Sequence, residues 1–386
     1  MKKAMILLAM TSLGIPSMAQ TETTQQVPVL NEKHSEYIPV AQYWKEHNIF
    51  QHLDLSVSAG TTGIGIDLAS PIGEYFQLRA GFDYMPRFTA KMKFDVMIGD
   101  QPARQYDANG NRIETSFDRM QVMLHDFTGV TADDHVDMIG KPTMNNVKLL
   151  LDFFPFKNNK HWHVTAGFYW GPSKFAEAVN STESMNSLIA LSIYNNLYDK
   201  SYIHINGDEN GNHPPQYILQ VPDPDDPDGK MMPVSLDPQI EQRILAFGRM
   251  GFHLGDYVYY QEDEYNEMGE IIHHKGEKIE DGEVRPYIME ADENNMVRVQ
   301  AKSNSFKPYL GIGYRGRLVK NRDDWKISVD AGVMFWGGKP DLYLHDGINL
   351  TEDIKNIKGQ VGDYVDLFKK FTVFPNLSVR FTKTLF

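Results

Sequence analysis

The sequence contains no cysteine among its 386 residues. This absence excludes a disulfide framework and any metal site built on thiolates. After its first residues the chain also lacks an apolar run of about 18 residues, the length that a membrane-spanning helix requires. Basic residues are in deficit, because 38 Lys and Arg face 51 Asp and Glu, giving a formal charge of −13. Nucleic acid is therefore not expected as a partner.

The first residues have the features of a secretory signal. Lys2 and Lys3 precede an apolar stretch over 4–16, and Ser17-Met18-Ala19 places small residues where a signal peptidase reads them. We predict a signal peptide at 1–19, cleaved after Ala19, and a periplasmic segment at 20–50. The alternative interpretation is a buried N-terminal helix.

Aromatic residues make up 12% of the chain, and many lie in segments of strict alternation. In 75–84, one face holds Phe76, Leu78, Ala80, Phe82 and Tyr84, and the other holds Gln77, Arg79, Gly81 and Asp83. The pattern recurs over 162–170, 306–315, 325–335 and 371–381, and less cleanly over 147–156. A period of two over about ten residues is typical of a strand with one apolar and one polar face.

We assign the apolar faces to lipid and the polar faces to the interior of a barrel. The predicted interior polar residues are Gln77, Arg79, Asp83, His163, Thr165, Lys307, Arg315, Lys326, Asp330 and Arg380. The predicted membrane-interface aromatics are Phe76, Tyr84, Trp162, Trp170, Trp325 and Phe335. A soluble β-sandwich also alternates, but it seldom places large aromatics at both ends of one apolar face, as a tilted transmembrane strand does.

The connections alternate between short and long. Short turns lie at 71–74, 157–160 and 320–324, and long links follow residues 88, 176 and 345. Outer-membrane barrels have short periplasmic turns and long extracellular loops. We therefore predict an all-β fold, a transmembrane antiparallel up-and-down β-barrel over 51–386, with an acidic extracellular loop inserted at 177–299.

The pattern favours eight strands and leaves ten or twelve open. The phase of the alternation flips across Gly60-Thr61-Thr62-Gly63, where either a tight turn or a bulge would explain it. Residues 91–96 are another candidate strand.

The strand segments 60–67, 78–84, 149–156, 164–168, 306–314 and 328–335 resemble a family of outer-membrane β-barrel proteins widespread in Gram-negative bacteria. The long loops, the Asp-rich insert and the residues near the signal look like versions found in Bacteroidales. The family is largely uncharacterised in function, and the resemblance carries no catalytic motif. It implies contact with outer-membrane lipid and with the outer-membrane assembly machinery. Two features depart from the family: the loop at 177–299 is longer than usual, and Phe386 is out of phase with the apolar face.

Local structure is also predicted in the long links. Over 350–368 the apolar spacing changes to three and four, which predicts a short amphipathic helix with Asn349 or Thr351 as its N-cap. We expect it to pack on the barrel mouth or to lie at the membrane interface. Residues 185–197 have helical spacing, and a surface hairpin is predicted around Asn266 to Gly269.

The candidate metal ligands are weak. Region 176–300 carries 24 carboxylates against 8 cations, and Asp223, Asp225, Asp226 and Asp228 could supply oxygen ligands to calcium. Their spacing does not match a calcium loop, and the intervening prolines favour a solvated turn. The pairs at 161/163 and 273/274 lack the further ligands that zinc requires.

No nucleophile and base can be paired, so we expect no enzymatic activity, no metal and no cofactor. The favoured function is a structural or surface-interaction role, in which the acidic loops bind a basic protein or a glycan. The alternative is a narrow porin or carrier for small molecules, and an outer-membrane hydrolase is the least supported.

Overall fold

The computed structural model describes residues 40–47, 49–99, 101–208, 211–213, 219–222, 231–234, 237–266, 268–357 and 359–385. The predicted signal peptide and the candidate calcium ligands Asp223, Asp225, Asp226 and Asp228 lie outside these residues. Within this part of the chain, no helix combines the length and the apolar character needed to cross a bilayer.

Eight antiparallel strands close into a barrel in which each strand pairs with its neighbours in the sequence. They are β1 Asp54–Gly60, β2 Gly63–Ile72, β3 Phe76–Tyr84, β4 Asn145–Phe153, β5 Trp162–Trp170, β6 Phe306–Val319, β7 Arg322–Phe335 and β8 Val373–Thr384. The barrel closes where β1 pairs with β8, and Asp54 lies opposite Thr384. The predicted eight-stranded up-and-down barrel is confirmed.

The phase flip between residues 60 and 63 is a tight turn. Gly60 pairs with Gly63, and Thr61 and Thr62 alone connect β1 to β2. A Cβ at Gly63 would lie 2.2 Å from the carbonyl oxygen of Tyr84, and its φ of +101° also favours glycine. Of the two alternatives that the pattern allowed, the tight turn between two strands is therefore correct, and the single bulged strand is not.

The two ends of the barrel differ in the length of their connections. At one end, which we call the turn end, residues 73–75, 154–161 and 320–321 join successive strands. The other end, the loop end, has the two-residue turn and three long connections at 85–144, 171–305 and 336–372. The described parts of these three connections fold together, and we call them the cap.

The cap contains short strands and four helices. Its strands are Ala90–Asp95, Met97–Ile98, Gln101–Pro102, Gln105–Tyr106, Arg112–Ile113, His135–Pro142, Lys174–Asn180, Leu219–Pro222, Met231–Val234, Met250–Tyr257, Glu264–Tyr265, Ile271–His273, Pro286–Met289, Arg298–Lys302, Asp341–Leu344 and Ile354–Lys355. The helices of the described chain are α1 Val40–Glu46, which precedes the barrel, and α2 Ser116–Thr128, α3 Met185–Asn206, α4 Pro238–Phe247 and α5 Gly359–Lys370 in the cap.

A five-stranded sheet, which we call the cap sheet, draws on all three long connections. Its order is Asp341–Leu344, Arg298–Lys302, Lys174–Asn180, His135–Pro142 and Ala90–Asp95. The candidate barrel strand at 91–96 is therefore wrong, because Ala90–Asp95 pairs with His135–Pro142 at the edge of this sheet. One face of the cap sheet is apolar and adjoins a core that includes Met138, Leu188 and Phe252.

The amphipathic helix before the last strand is present, but its predicted start is wrong. Residues 354–355 form a strand that pairs with Asp256 and Tyr257, and α5 begins only at Gly359. Asn356 and Gly359 have φ values of 59° and 68°, which end any right-handed helical path there. Leu350 and Ile354 share the helical spacing because both are buried in the cap core.

Candidate functional site

Cross-strand ion pairs fill the middle of the barrel. Arg79 Nη2 lies 2.9 Å from Asp152 Oδ1, and the Thr165 hydroxyl donates to the same oxygen at 2.7 Å. Arg380 lies 3.7 Å from Asp152 Oδ2 and 3.3 Å from Asp330 Oδ1. Strands β3, β4, β5, β7 and β8 thus contribute to one buried cluster, which we call the central network.

His163 belongs to the central network, because its Nε2 lies 2.7 Å from Asp330 Oδ1. Its ring is fully buried and also packs 5.4 Å from the ring of Phe154. These contacts are those of a structural histidine held in the interior. The described residues contain no group of three or more His, Asp or Glu that could hold a metal ion.

A second cluster lies toward the loop end. Lys148 Nζ contacts Asp67 Oδ1 at 2.8 Å and Asp83 Oδ1 at 2.6 Å, and the hydroxyl of Thr62 donates to Asp83 at 2.8 Å. All three charged groups are buried. A cation shared by two carboxylates in this position joins β2, β3 and β4 at the level of the two-residue turn.

A third cluster lies toward the turn end. Gln77 donates to Asp54 Oδ2 at 2.9 Å, and Arg315 donates to Gln77 at 3.0 Å. Lys326 lies 3.6 Å from Asp54, and the guanidinium of Arg315 covers the ring of Phe154 at 4.4 Å. Interior side chains thus pair with one another at three successive levels of the lumen.

All ten residues that the sequence places in the interior lie on barrel strands, and each is buried or half-buried. Nine of them enter the three clusters. Lys307 is fully buried near the loop end, where its Nζ donates to the Ser305 carbonyl at 3.4 Å. Asp83 binds Lys148 in the second cluster, and Thr165 binds Asp152 in the central network.

Sequence reasoning missed Lys148 and Asp152 as interior residues. The segment 147–156 looked irregular, because Leu150 and Phe154 also occupy its second face. In the structure these two apolar residues point inward, at 1% and 3% exposure, in phase with Lys148 and Asp152. A filled barrel interior can hold apolar as well as polar side chains. With that allowance, the sequence would have identified Lys148 and Asp152 as interior residues.

Inward-facing glycines make room for this interior. A Cβ at Gly81 would lie 2.0 Å from Asp67 Oδ1, and one at Gly313 would lie 2.3 Å from His163 Nε2. Such separations are shorter than any van der Waals contact, so a side chain at either position would displace the charged group. The alternation of glycine with charged residues thus reflects a closely packed interior.

The outer surface of the barrel is an apolar belt. Ile66, Phe82, Leu310, Ile312 and Leu377 are each about half exposed. Five of the predicted interface aromatics, Phe76, Tyr84, Trp162, Trp170 and Phe335, are exposed at the ends of strands. Trp325 is half-buried and lies under Lys383, whose Nζ is 5.1 Å from the ring.

A closed barrel with an apolar belt outside and paired charges inside is the architecture that spans an outer membrane. Half-exposed aliphatic side chains over a whole barrel surface would be unfavourable in water. The protein is therefore an outer-membrane β-barrel protein.

The cap carries the surface charge. Residues 260–293 hold twelve carboxylates and three cations, and Glu262, Glu280 and Asp281 are exposed. The predicted hairpin is present, since Glu264–Tyr265 pairs with Ile271–His273. His273 stacks on Tyr260 at 4.2 Å, and the adjacent His274 is exposed, so the two do not converge on one ion.

One cap carboxylate is held firmly ionised. Arg104 donates to both oxygens of Asp134, at 2.7 Å and 2.6 Å. These hydrogen bonds, with that of His135, lower the pKa of Asp134 from its ordinary value of 3.8 to about 2. The pair joins the start of the cap sheet to the segment before α2.

No protein-family model matches the chain, and no curated protein matches it. Among solved structures, the chain is similar to two crystal structures from Acinetobacter baumannii. CarO2 has 12% identity and a TM-score of 0.32, with 86% of this chain and 98% of that chain covered. CarO has 11% identity, the same TM-score and the same coverage. At these values the likeness carries no inference about what the barrel does.

Proposed function

We propose that this protein is a sealed outer-membrane barrel that acts by surface interaction through its acidic cap. The observation that carries the proposal is the central network. Arg380 on β8 reaches Asp152 on β4, and these strands are four apart in an eight-stranded barrel, so the contact crosses the lumen. An eight-stranded barrel is just wide enough for side chains to fill.

Planar-bilayer conductance tests the sealed barrel against the narrow porin or carrier. We expect the refolded protein to give no unitary current. The double variant Asp152→Ala/Arg380→Ala, which empties the middle of the lumen, should give a measurable leak. Stable unitary currents from the unmodified protein would favour the porin.

The cap supports an interaction role because carboxylates outnumber cations by twelve to three over residues 260–293. A basic protein segment is the partner that this charge would attract, through long-range forces that salt screens. The measurement is binding of oligolysine to the full-length protein at low and at physiological salt. We expect binding that weakens as salt rises.

The matched variants are Glu262→Gln/Glu280→Gln/Asp281→Asn in the cap and Glu74→Gln at the turn end, where Glu74 pairs with Lys157. The cap variant should bind oligolysine more weakly, and the turn-end variant should bind as the unmodified protein does. Equal binding by all three proteins would overturn the surface role, whatever the conductance result.

The Bacteroidales-type family, the signal peptide at 1–19 and the loop boundaries at 177–299 stay predictions from the sequence. We also expect no catalytic activity. A turnover assay with phospholipid and peptide substrates tests this, and hydrolysis of either would revive the hydrolase.

A further inference from the structure

An apolar pocket lies between the cap sheet and α5. Its volume is about 280 Å³, and its walls are almost wholly carbon. The floor is made of small residues, because Ala178 pairs with Gly140 on one side and with Val299 on the other. The roof is Val361 and Val365, one turn apart on α5.

The small floor residues create the space. Helices and sheets pack in contact when large side chains fill the gap between them, and here Gly140, Ala176 and Ala178 leave the middle of the floor low beneath the helix. An engineered apolar cavity of about 150 Å³ stays dry and admits benzene. A pocket of this size and lining accordingly suits on the order of ten carbon atoms and excludes a polar solute.

The mouth of the pocket carries exposed apolar side chains. Phe88 and Tyr364 line it and are 61% and 40% exposed. Leu367 and Phe371, at 48% and 39% exposure, continue the apolar surface from α5 toward the start of β8. Exposed apolar groups of this size around a cavity mark a site of contact with another apolar surface.

The apolar belt of the barrel comes close to this mouth. Phe88 lies four residues beyond Tyr84, the interface aromatic that ends β3, so the two Cα atoms are within about 14 Å. Phe371 lies two residues before β8. Between β3 and β8 the barrel has only the two-residue turn of β1 and β2. The apolar belt of the barrel and the pocket mouth thus adjoin where the loop end carries no long connection.

Two cations accompany the pocket, and we call them the cationic rim: Arg87 and Lys369. Arg87 precedes the lining residue Phe88, and Lys369 follows the lining residue Phe368. Within the described chain neither of these cations forms an ion pair. Glu177, the carboxylate among the lining residues, is paired with Lys174 and lies 3.7 Å from Arg298. In a chain of charge −13, unpaired cations beside an apolar pocket are complementary to an anionic amphiphile.

We propose that this pocket holds one acyl chain of an anionic membrane lipid, whose head group binds the cationic rim. The acyl chain enters the pocket from the surrounding leaflet, through the mouth formed by Phe88 and Tyr364. This site is separate from the acidic surface of the cap, so it stands or falls independently of the oligolysine experiment.

The test uses the full-length protein in nanodiscs that contain equal amounts of phosphatidylglycerol and phosphatidylcholine with identical acyl chains. Native mass spectrometry after detergent release counts the lipid that each protein retains. We expect one retained phosphatidylglycerol on the unmodified protein and at least a fivefold excess of it over phosphatidylcholine. Equal retention of the two lipids, or of none, would overturn the proposal.

Ala178→Phe fills the pocket from its floor and should lose the retained lipid. Val179→Phe is the matched control, because Val179 lies next along the same strand on the opposite face of the cap sheet and adds the same ring there. Retention by Ala178→Phe at the level of the unmodified protein would refute the site. Lys369→Gln with Arg87→Gln should keep the fold and lower the preference for the anionic lipid.

A crosslinking measurement covers the case in which Ala178→Phe does not fold. A benzophenone side chain replaces Met92, which lines the pocket, or Lys93, which is exposed on the other face of the same strand. Irradiation in phosphatidylglycerol nanodiscs should attach lipid at position 92 and not at position 93. Equal labelling at the two positions, or labelling at 93 alone, would exclude an acyl chain in the pocket.

Discussion

Substitution Asp152→Asn tests whether the central network stabilises the barrel. Asp152 is the carboxylate that lies 2.9 Å from Arg79 and 3.7 Å from Arg380. Arg380 keeps Asp330 as a partner, whereas Arg79 is left buried without an ion pair in the described chain. Removing one partner of a buried pair costs about 3–5 kcal/mol. The amide retains the shape of the carboxyl group, so we expect the lower end, about 3 kcal/mol.

The assay is reversible urea unfolding in lipid vesicles, followed by tryptophan fluorescence. The midpoint should fall at an unchanged slope, because the surface exposed on unfolding stays the same. Asp323→Asn is the matched control, since Asp323 pairs with Arg317 at the turn end with both side chains largely exposed. That variant should unfold as the unmodified protein does.

An unchanged midpoint for Asp152→Asn would refute the reasoning, because it would mean that Arg79 is solvated in the barrel interior. The double variant Arg79→Met/Asp152→Leu separates charge from packing. Apolar replacement of a whole buried pair is often neutral or stabilising, so this variant should be more stable than Asp152→Asn.

Three further outcomes follow from the same structure. Gly81→Ala places a Cβ 2.0 Å from a carboxylate oxygen and should lower the unfolding free energy by about 1–3 kcal/mol, whereas Gly316→Ala, with its nearest neighbour 4.0 Å away, should not change it. The pKa of Asp134 is lowered to about 2 from 3.8. Its contribution to cap stability is therefore present above pH 3.8 and is lost as pH falls through 2. Near-ultraviolet circular dichroism of Asp134→Asn should lack this part of the acid transition. Brominated lipid should quench a protein that retains only Trp170, which is 59% exposed on the belt, and should not quench one that retains only Trp336, which is 4% exposed in the cap core.

The barrel could be predicted from the sequence because its signal is local. Strict alternation over nine or ten residues shows which side chains face lipid, as in β3, whose observed faces are those predicted. The count of eight strands results when Thr61 and Thr62 are taken as a turn between two strands. The order of the strands then follows from antiparallel pairing between neighbours in the chain.

The cap could not be predicted because its contacts are distant in sequence and most of its strands are short. Tyr257 pairs with Ile354, and Lys302 pairs with Asp341. A strand of two to five residues gives no measurable period. The predicted helix at 350–368 shows the difficulty, since burial of Leu350 and Ile354 in a shared core imitates helical spacing.

The charged residues of the barrel interior could be predicted from the sequence, but their pairing could not. Arg79 and Asp330 stand out as charges in alternating strands, but the sequence does not say which charges meet across the lumen. Those contacts depend on the stagger between strands, which brings Arg380 to both Asp152 and Asp330.

The shared cap sheet has a consequence for how this protein can change over generations. Surface loops of most proteins accept insertions and drift in sequence independently of one another. In the cap sheet, the three middle strands come from the first and second long connections, and the two edge strands come from the first and the third. An insertion in any one connection alters the fit of the other two. We therefore expect variation among descendants of this sequence to be concentrated in hairpin tips such as 266–269, with compensating changes wherever the cap sheet itself is altered.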